Sequence, residues 1–220
     1  KLFNRKNSCR IYDSDLDLGA LLLERIIPGT DLTNIKESDD RFFIASEVIT
    51  CLPEPIKENL DLPSYSDWVS RAFGQAKGDD YKKILPLVNK ANDFFLNLED
   101  NYTQRMVLHG DLHHKNILND NHGWKAIDPK GVIGLPYLES ARFIKNQLEM
   151  VNESERLDNL EKMVKIFSEK MNINPKIISK CAFIDSVLST CWSIEENDSP
   201  ENIDDSIKSC QLILDYLNSN

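Results

Sequence analysis

Long apolar segments are missing from this chain. No run of hydrophobic residues approaches the roughly 20 that a membrane-spanning helix needs, and the start, Lys1-Leu2-Phe3-Asn4-Arg5, has no signal-peptide core. Hydrophobic residues still make up 41% of the 220 positions, which is enough for one ordinary domain or two small lobes and excludes a disordered or fibrous chain. We therefore expect a globular protein of the cytoplasm.

Cysteine is scarce and follows no pattern. The five cysteines lie at positions 9, 51, 181, 191 and 210, and no two of them form a C-x-x-C pair. Their odd number disfavours a disulfide framework, and their wide spacing disfavours a zinc site. We expect all five to be small core residues.

Basic residues are outnumbered in this chain. There are 26 lysines and arginines against 36 aspartates and glutamates, so that the formal net charge is −10 at pH 7. Such a balance disfavours nucleic acid and anionic membranes as partners, because both carry negative charge. It would suit a cationic small molecule, although many soluble proteins are acidic without such a ligand.

A strand, a loop and a hairpin are predicted between residues 107 and 128. An apolar run leads into His109-Gly110-Asp111, and Asn116 follows five positions after the aspartate. A second apolar run ends in the turn 119–123, and a third ends at Asp128. The polar side chains thus fall at the ends of apolar strands.

The spacing from Asp111 to Asn116 equals that of the kinase catalytic loop H-R-D-L-x-x-x-N. In that loop the aspartate accepts the proton of the substrate hydroxyl and the asparagine holds a magnesium ion. Asp128 falls where the aspartate of the kinase D-F-G motif would fall. The pattern predicts Asp111 as the catalytic base or hydroxyl orienter, with Asn116 and Asp128 as metal ligands.

Two other interpretations of this segment stay open. A histidine and aspartate cluster could be a hydrolytic metal site, since imidazole and carboxylate suit zinc or iron. The usual two-histidine zinc motif H-E-x-x-H lies on a helix, however, and the Gly, Pro and Asn content here argues against one. The simplest alternative is that Asp111 and Asn116 only cap a turn.

The residues from His109 to Leu118 and from Ala126 to Gly134 resemble the aminoglycoside phosphotransferase superfamily. Their Asp-Pro-Lys-Gly continuation is similar to that of the streptomycin and hydroxyurea-type resistance kinases. Residues 18–29 are similar to the hinge of the family, and residues 141–146 to the segment after its metal aspartate. The resemblance runs from the first residues to about residue 148.

This resemblance implies a kinase-like α+β fold. Residues 1–28 would be the remnant of an amino-terminal nucleotide-binding lobe with its hinge, and residues 29–220 a mostly helical lobe that carries the catalytic loop and hairpin. The implied reaction transfers a phosphate from ATP or GTP, with Mg²⁺, to a hydroxyl of a small polar molecule. An aminoglycoside such as streptomycin is the first candidate, and a cellular metabolite is the alternative.

The resemblance also implies roles for residues outside the aspartates. The carbonyl of Glu24 and the amide of Ile26 would bind the adenine edge, and Lys130 would contact a phosphate unless it is a solvated loop lysine. His109 would support the loop by hydrogen bonding without taking part in the chemistry. The remaining histidines of the motif, His113 and His114, are expected in the loop or at the surface.

The chain departs from the family pattern at two positions. Gly134-Leu135-Pro136 has leucine where the family usually has an acidic residue, so a supporting hydrogen bond near the loop is expected to be missing. Glu139 keeps the next acidic position. Lys115 replaces the more common glycine, and we expect it to be solvated.

Three expected parts of a kinase of this type are not found in the sequence. They are the phosphate-covering loop, the strand lysine and the helix glutamate, since residue 1 would fall at the end of the helix that carries the glutamate. Either the chain is a fragment of a longer product or it is a non-catalytic pseudokinase or nucleotide-binding module. The complete set of Asp111, Asn116 and Asp128 argues against the second possibility.

The remaining sequence shows helical spacing. Helices are predicted at 38–52, stopped by Pro53 and Pro55, at 66–74, and at 80–99 with Pro86 in the first turns. After residue 137 three apolar stripes, which begin at Leu157, Ile177 and Ile203, predict a bundle of core helices.

Overall fold

The computed structural model describes Phe3, residues 7–57 and residues 60–220. It has a strand-rich beginning followed by a mostly helical remainder, as the sequence predicts. The predicted helix end at residue 1 lies outside the described residues. The predicted division into lobes at residue 28 remains a prediction.

The amino-terminal strands form an antiparallel ribbon. Strands β1 (Ile11–Asp15) and β2 (Ala20–Leu23) pair with Ser14 opposite Leu21. Just before β1, the amide of Cys9 donates to the carbonyl of Ala126 at 2.9 Å. The ribbon is therefore joined by backbone hydrogen bonds to the region that precedes Asp128.

The linker after the ribbon is held by the same region. The amide of Gly29 donates to the carbonyl of Asn119 at 3.0 Å, and the amide of Asn119 donates to the carbonyl of Thr30 at 2.9 Å. These bonds fix the chain where it enters the helical part.

Two small sheets carry the polar motif. Strands β3 (Glu54–Pro55), β4 (Met106–Leu108) and β7 (Val132–Gly134) form an antiparallel sheet with β4 in the middle. Strands β5 (Ile117–Asn119) and β6 (Trp124–Ala126) form the predicted hairpin. Because Leu108 pairs with Val132, the loop after β4 begins beside the segment that leads into β7.

Seven α-helices are found among the described residues. They are α1 (Ser38–Cys51), α2 (Tyr65–Gln75), α3 (Leu85–Asn101), α4 (Ala141–Met150), α5 (Arg156–Met171), α6 (Pro175–Glu195) and α7 (Pro200–Ser219). The predicted α1 and the three later bundle helices are confirmed. Helix α3 begins at residue 85, later than predicted, because 79–81 forms a separate 3-10 turn and Pro86 occupies the first helical turn.

The second helix begins one residue earlier and ends one residue later than the predicted 66–74. Ser64 caps α2 through a capping box with Asp67, so the helix begins at Tyr65. Gly74 lies inside the helix and not at its end. In the bundle, Leu157 is 45% exposed, although the periodic pattern predicts that it faces the core.

Helix α6 is the central core element. It packs against α2, α3, α4, α5 and α7, and the residues from Cys181 to Cys191 are all buried. By length and composition alone α6 could cross a membrane, which the sequence analysis did not anticipate, but 83% of its apolar window is buried inside the protein. Burial of this kind is typical of the core helix of a globular fold.

The cysteines divide into two groups. Cys181, Cys191 and Cys210 are fully buried, as predicted, and burial raises the pKa of the Cys191 and Cys210 thiols to about 12. The prediction is wrong for Cys51, which is exposed in the last turn of α1, and Cys9 is only half-buried.

The packing of α6 can be tested at Phe183, which is fully buried and meets Phe94 edge to face at 5.8 Å between ring centroids. We expect Phe183→Ala to lower the free energy of unfolding by about 3–5 kcal/mol, because the truncation leaves a cavity. Phe43→Ala is the matched control, since Phe43 is 58% exposed. Its cost should stay below about 1 kcal/mol in the same urea titration; equal costs would contradict the assignment of α6 as the core helix.

Candidate active site

The loop after β4 turns sharply at Gly110. This residue has φ +78°, in the left-handed region, and a Cβ atom there would lie 2.9 Å from Val132 Cγ1 and 3.0 Å from Trp68 Cη2. Both the backbone conformation and the close packing require glycine. The turn directs Asp111 away from the sheet.

A buried carboxylate holds the backbone of this turn. Glu139 Oε2 accepts the amide hydrogen of His109 at 2.6 Å, and the Gly110 amide also donates to the Glu139 carboxylate. Burial raises the pKa of Glu139 to about 7, while the two donated hydrogen bonds act in the opposite direction. Leu135 is fully buried and apolar, so the side-chain hydrogen bond to the His109 amide comes from Glu139.

His109 connects the loop to the segment before Asp128. Its Nε2 lies 2.8 Å from the carbonyl oxygen of Ile127, and its Nδ1 accepts the amide hydrogen of Asp111 at 3.3 Å. Burial lowers the pKa of the imidazole to about 4, so the ring is neutral near pH 7 and donates from Nε2. These contacts are those expected of a loop-supporting residue.

Asp111 is half-buried and faces two cations. Lys130 Nζ lies 3.2 Å from Asp111 Oδ2, and Arg142 Nε lies 3.9 Å from Oδ1. Arg142 is fixed in turn by Asp185, whose Oδ2 lies 3.2 Å from Arg142 Nε. The hydroxyl of Tyr65 donates to Asp185 Oδ1 at 2.6 Å. Helices α2, α4 and α6 thus jointly position the group facing Asp111.

The sequence analysis assigned no role to Arg142, Asp185 or Tyr65. A signal existed for Asp185, because it is a carboxylate inside the apolar stripe of α6 and is 2% exposed. A buried acid in such a stripe needs a cation or a donor. Neither Arg142 nor Tyr65 gives a comparable signal in the sequence.

A backbone hydrogen bond joins Asn116 to the residue before Asp128. Asn116 Nδ2 donates to the carbonyl oxygen of Asp111 at 2.9 Å, and the amide of Ile127 donates to the carbonyl of Asn116 at 2.9 Å. Asp128 follows with φ +57° and an exposed side chain. Because the side-chain nitrogen of Asn116 donates the hydrogen bond to Asp111, its side-chain oxygen is the atom that is available to bind a cation.

This donor set fits magnesium and not a hydrolytic zinc site. A carboxamide oxygen and a carboxylate are the hard oxygen ligands that Mg²⁺ takes. Among the described residues, no group of three His, Cys, Asp or Glu side chains is placed to hold a metal ion. The hydrolase interpretation needs His109 and His114, whose Nε2 atoms are already paired with Ile127 and Gln147.

His114 lies in the loop, as predicted, but its side chain is buried. It is 2% exposed, its Nε2 lies 2.8 Å from Gln147 Oε1, and its ring stacks on Phe143 at 4.2 Å between centroids. The 3-10 turn His114–Asn116 directs this side chain toward α4. His113 is half-buried and accepts the amide hydrogen of Lys115, whose side chain is exposed as predicted.

The predicted hinge residues lie beside a cavity of about 260 Å³. Leu23, Ile127 and Asp128 belong to its lining, whereas Glu24 and Ile26 are not among the described residues that line it. The adenine contacts of these two backbone groups therefore stay a prediction.

The Glu24 side chain has another partner that the sequence did not reveal. Lys125 Nζ lies 2.6 Å from Glu24 Oε1 and 3.0 Å from Asp120 Oδ2, and all three side chains are less than 20% exposed. The pKa of Glu24 is lowered mainly by its hydrogen bond from Lys125. This ion pair links the end of β2 to the β5–β6 hairpin.

Comparison with known proteins identifies the family. Residues 3–197 match the family described as aminoglycoside/hydroxyurea antibiotic resistance kinase. The chain belongs to this family. The match extends well beyond residue 148, where the resemblance in the sequence motifs ends, and includes all of α6.

A curated member of similar sequence is the streptomycin 3''-kinase of Klebsiella pneumoniae. It is 30% identical over 135 residues, which are 58% of this chain and 48% of that protein. The chain thus matches about half the length of this resistance kinase.

Solved structures confirm the kinase-like fold. The choline kinase LicA of Streptococcus pneumoniae has a TM-score of 0.66 at 17% identity, over 97% of this chain and 75% of that chain. The aminoglycoside phosphotransferase APH(4)-Ia, in a complex with ADP and hygromycin B, has a TM-score of 0.62 at 14% identity, over 100% and 80%. At such identities the likeness shows the fold of a resistance kinase and not its acceptor.

The raised pKa of Glu139 gives a testable pH dependence. The unfolded chain loses this proton near the ordinary value of 4.5, whereas the folded protein keeps it until about pH 7. The stabilisation is therefore present below pH 4.5 and lost as the pH rises through 7. Relative to Glu139→Gln, the wild type should lose about 2–3 kcal/mol of unfolding free energy between pH 5 and pH 8.

Urea unfolding at the two pH values measures this difference. The buried His109 and His114 change stability in the opposite direction, but they are present in both proteins and cancel in the comparison. Glu169→Gln, at an exposed position of α5, should follow the wild type. The assignment fails if Glu139→Gln shows the same pH dependence as the wild type.

Proposed function

We propose that this chain is the acceptor- and metal-binding part of a cytoplasmic small-molecule kinase. The enzyme would transfer the γ-phosphate of ATP, or of GTP, to a hydroxyl of a small polar molecule. The observation that carries the proposal is the bond from Asn116 Nδ2 to the backbone carbonyl of Asp111, because it holds the side chain of one motif residue against the backbone of the other in one loop. Residues 1–28 would belong to the nucleotide-binding lobe and residues 29–220 to the helical lobe.

Asp111 would orient the acceptor hydroxyl and accept its proton. Its carboxylate lies at the end of a loop whose backbone is fixed by Glu139 and His109, so the position of its oxygens is fixed before the acceptor arrives. Little proton removal is needed in a loose phosphoryl-transfer transition state, and orientation is accordingly the larger part of the role.

The side-chain oxygen of Asn116 and the carboxylate of Asp128 would hold Mg²⁺. The ion, when bound, neutralises charge on the phosphate oxygens. Lys130 is 53% exposed and lies 3.2 Å from Asp111, so its ammonium group can move to a phosphate oxygen as a point charge. The carbonyl of Glu24 and the amide of Ile26 would contact the adenine edge.

The acceptor is proposed to be an aminoglycoside, with streptomycin first. Family membership and the streptomycin 3''-kinase support this choice over a kinase of a cellular metabolite. The second candidate is a nucleotide-binding pseudokinase. Its support is that Leu135 stands where the family usually has an acidic residue.

Turnover by the longest gene product that contains this chain tests the proposal. We expect magnesium-dependent phosphorylation of at least one compound among streptomycin, hygromycin B, choline and hydroxyurea. Asp111→Asn should lower kcat by about 10²-fold or more, because the hydroxyl loses its base and orienter. Phosphate transfer is followed by coupled ADP release and by mass spectrometry of the product.

A matched control is Asp93→Asn, at an exposed position of α3, which should keep the wild-type kcat. If Asp111→Asn turned over like the wild type, the role of Asp111 would be wrong. If no compound were phosphorylated while ATP still bound, the pseudokinase alternative would replace the enzyme.

A further inference from the structure

We propose that Trp68 and Trp192 form a wall of the acceptor subsite and that this wall selects an acceptor carrying a guanidinium or ammonium group. The inference rests on the proposed function, because it names the acceptor class for the site at Asp111. We call these two side chains the indole corner.

Trp192 borders the space in front of Asp111. Lys130 Nζ, which contacts one carboxylate oxygen of Asp111, lies 5.9 Å from the centroid of the Trp192 ring. The guanidinium carbon of Arg142, whose Nε faces the other oxygen, lies 5.4 Å from the same ring. Both cations therefore bridge the indole face and the carboxylate, which places Trp192 beside the space in front of Asp111.

Trp68 closes the corner from the side of the loop. A Cβ atom on Gly110 would lie 3.0 Å from Trp68 Cη2, so this indole is in contact with the residue next to Asp111. The two indole rings meet edge to face, with 5.6 Å between centroids and an interplanar angle of 79°. Both side chains are half-buried, and part of each ring is open to a ligand.

Helix α6 adds polar groups to the same wall. Asp185, Ser189 and Trp192 are spaced four and three residues apart, which places them on one face of the helix. Ser189 is 5% exposed, and its hydroxyl has no hydrogen-bond partner among the described residues. Buried hydroxyls are normally paired, so this one is available to an acceptor hydroxyl or amine.

The charges around the corner favour a cationic acceptor. Arg142 is retained by Asp185, whereas Lys130 is largely exposed and lies at the outer limit of contact with the ring. When a nucleotide phosphate attracts Lys130, the Trp192 face and the negative charge of Asp111 are left without that cation. A cation on the acceptor can then occupy the indole face. This condition separates the two acceptors in the family description, because aminoglycosides are cationic and hydroxyurea is uncharged.

Calorimetric binding to the full-length protein saturated with Mg²⁺ and a non-hydrolysable ATP analogue, whose phosphates attract Lys130, tests the wall. The probes are streptomycin, hygromycin B and choline as cations, with hydroxyurea as the uncharged comparison. We expect at least one cationic probe to bind and Trp192→Leu to weaken its Kd about tenfold. Trp192→Phe, which keeps an aromatic face, should recover most of the affinity.

Trp124→Leu is the matched control, because Trp124 is half-buried in β6 and is not part of the indole corner. It should bind every probe like the wild type. The tryptophan emission should change when the cationic probe binds to Trp124→Phe, and that change should be reduced in the double variant Trp124→Phe/Trp192→Phe, which keeps only Trp68. A purely structural role of Trp192 would not produce this optical difference.

The inference is overturned if no cationic probe binds, if Trp192→Leu leaves the Kd unchanged, or if hydroxyurea binding weakens by the same factor. Kinetics separate this failure from that of the proposed function. If a probe binds in a way that depends on Trp192 but no phosphate is transferred, the inference about the wall holds and the proposed kinase function is rejected. Phosphate transfer with an unchanged acceptor KM in Trp192→Leu would reject only the wall.

Discussion

The hydrogen bonds that fix the backbone at His109-Gly110-Asp111 are the constraint on which the rest of the site depends. They come from a carboxylate, Glu139, and an imidazole, both almost fully buried. A carboxylate in such a place is costly unless it is paired, and here backbone amides supply the partners. The loop and its two acceptors therefore stabilise one another, and the direction of the Asp111 side chain follows from them.

The electrostatic setting of Asp111 is built by helices that lie far apart along the chain. Arg142 of α4 is held between Asp111 and Asp185 of α6, and Tyr65 of α2 completes the group. Burying a guanidinium is tolerable because two carboxylates face it, and removal of either would leave an uncompensated charge. The helical bundle thus acts on the site through a small number of ionic contacts and not through packing alone.

The features that could be predicted from the sequence are those that depend on residues a few positions apart along the chain. Asp111 and Asn116 could be singled out because five positions separate them, and α5, α6 and α7 because their apolar residues recur with helical period. The family was identifiable on the same grounds, and the match confirms it. Long-range pairing could not be found in this way, since Lys125 and Glu24 are 101 positions apart.

Two side chains show where local reasoning ends. His114 lies in the loop, as expected, but a 3-10 turn directs its ring against Phe143. Leu135 offers no side-chain hydrogen bond to the loop, as expected, and Glu139, four residues later, accepts the amide hydrogen of His109. In both cases the outcome depended on the path of the backbone, which composition and periodicity do not determine.

Both strands of the β5–β6 hairpin are held by backbone hydrogen bonds to the amino-terminal segment. Asn7 and Cys9 hold it through Ala126, while Gly29 and Thr30 hold it through Asn119. The amino-terminal ribbon is thus coupled through these backbone hydrogen bonds to the hairpin whose second strand leads to Asp128. A displacement of the ribbon would be transmitted to the residue that we propose as a metal ligand.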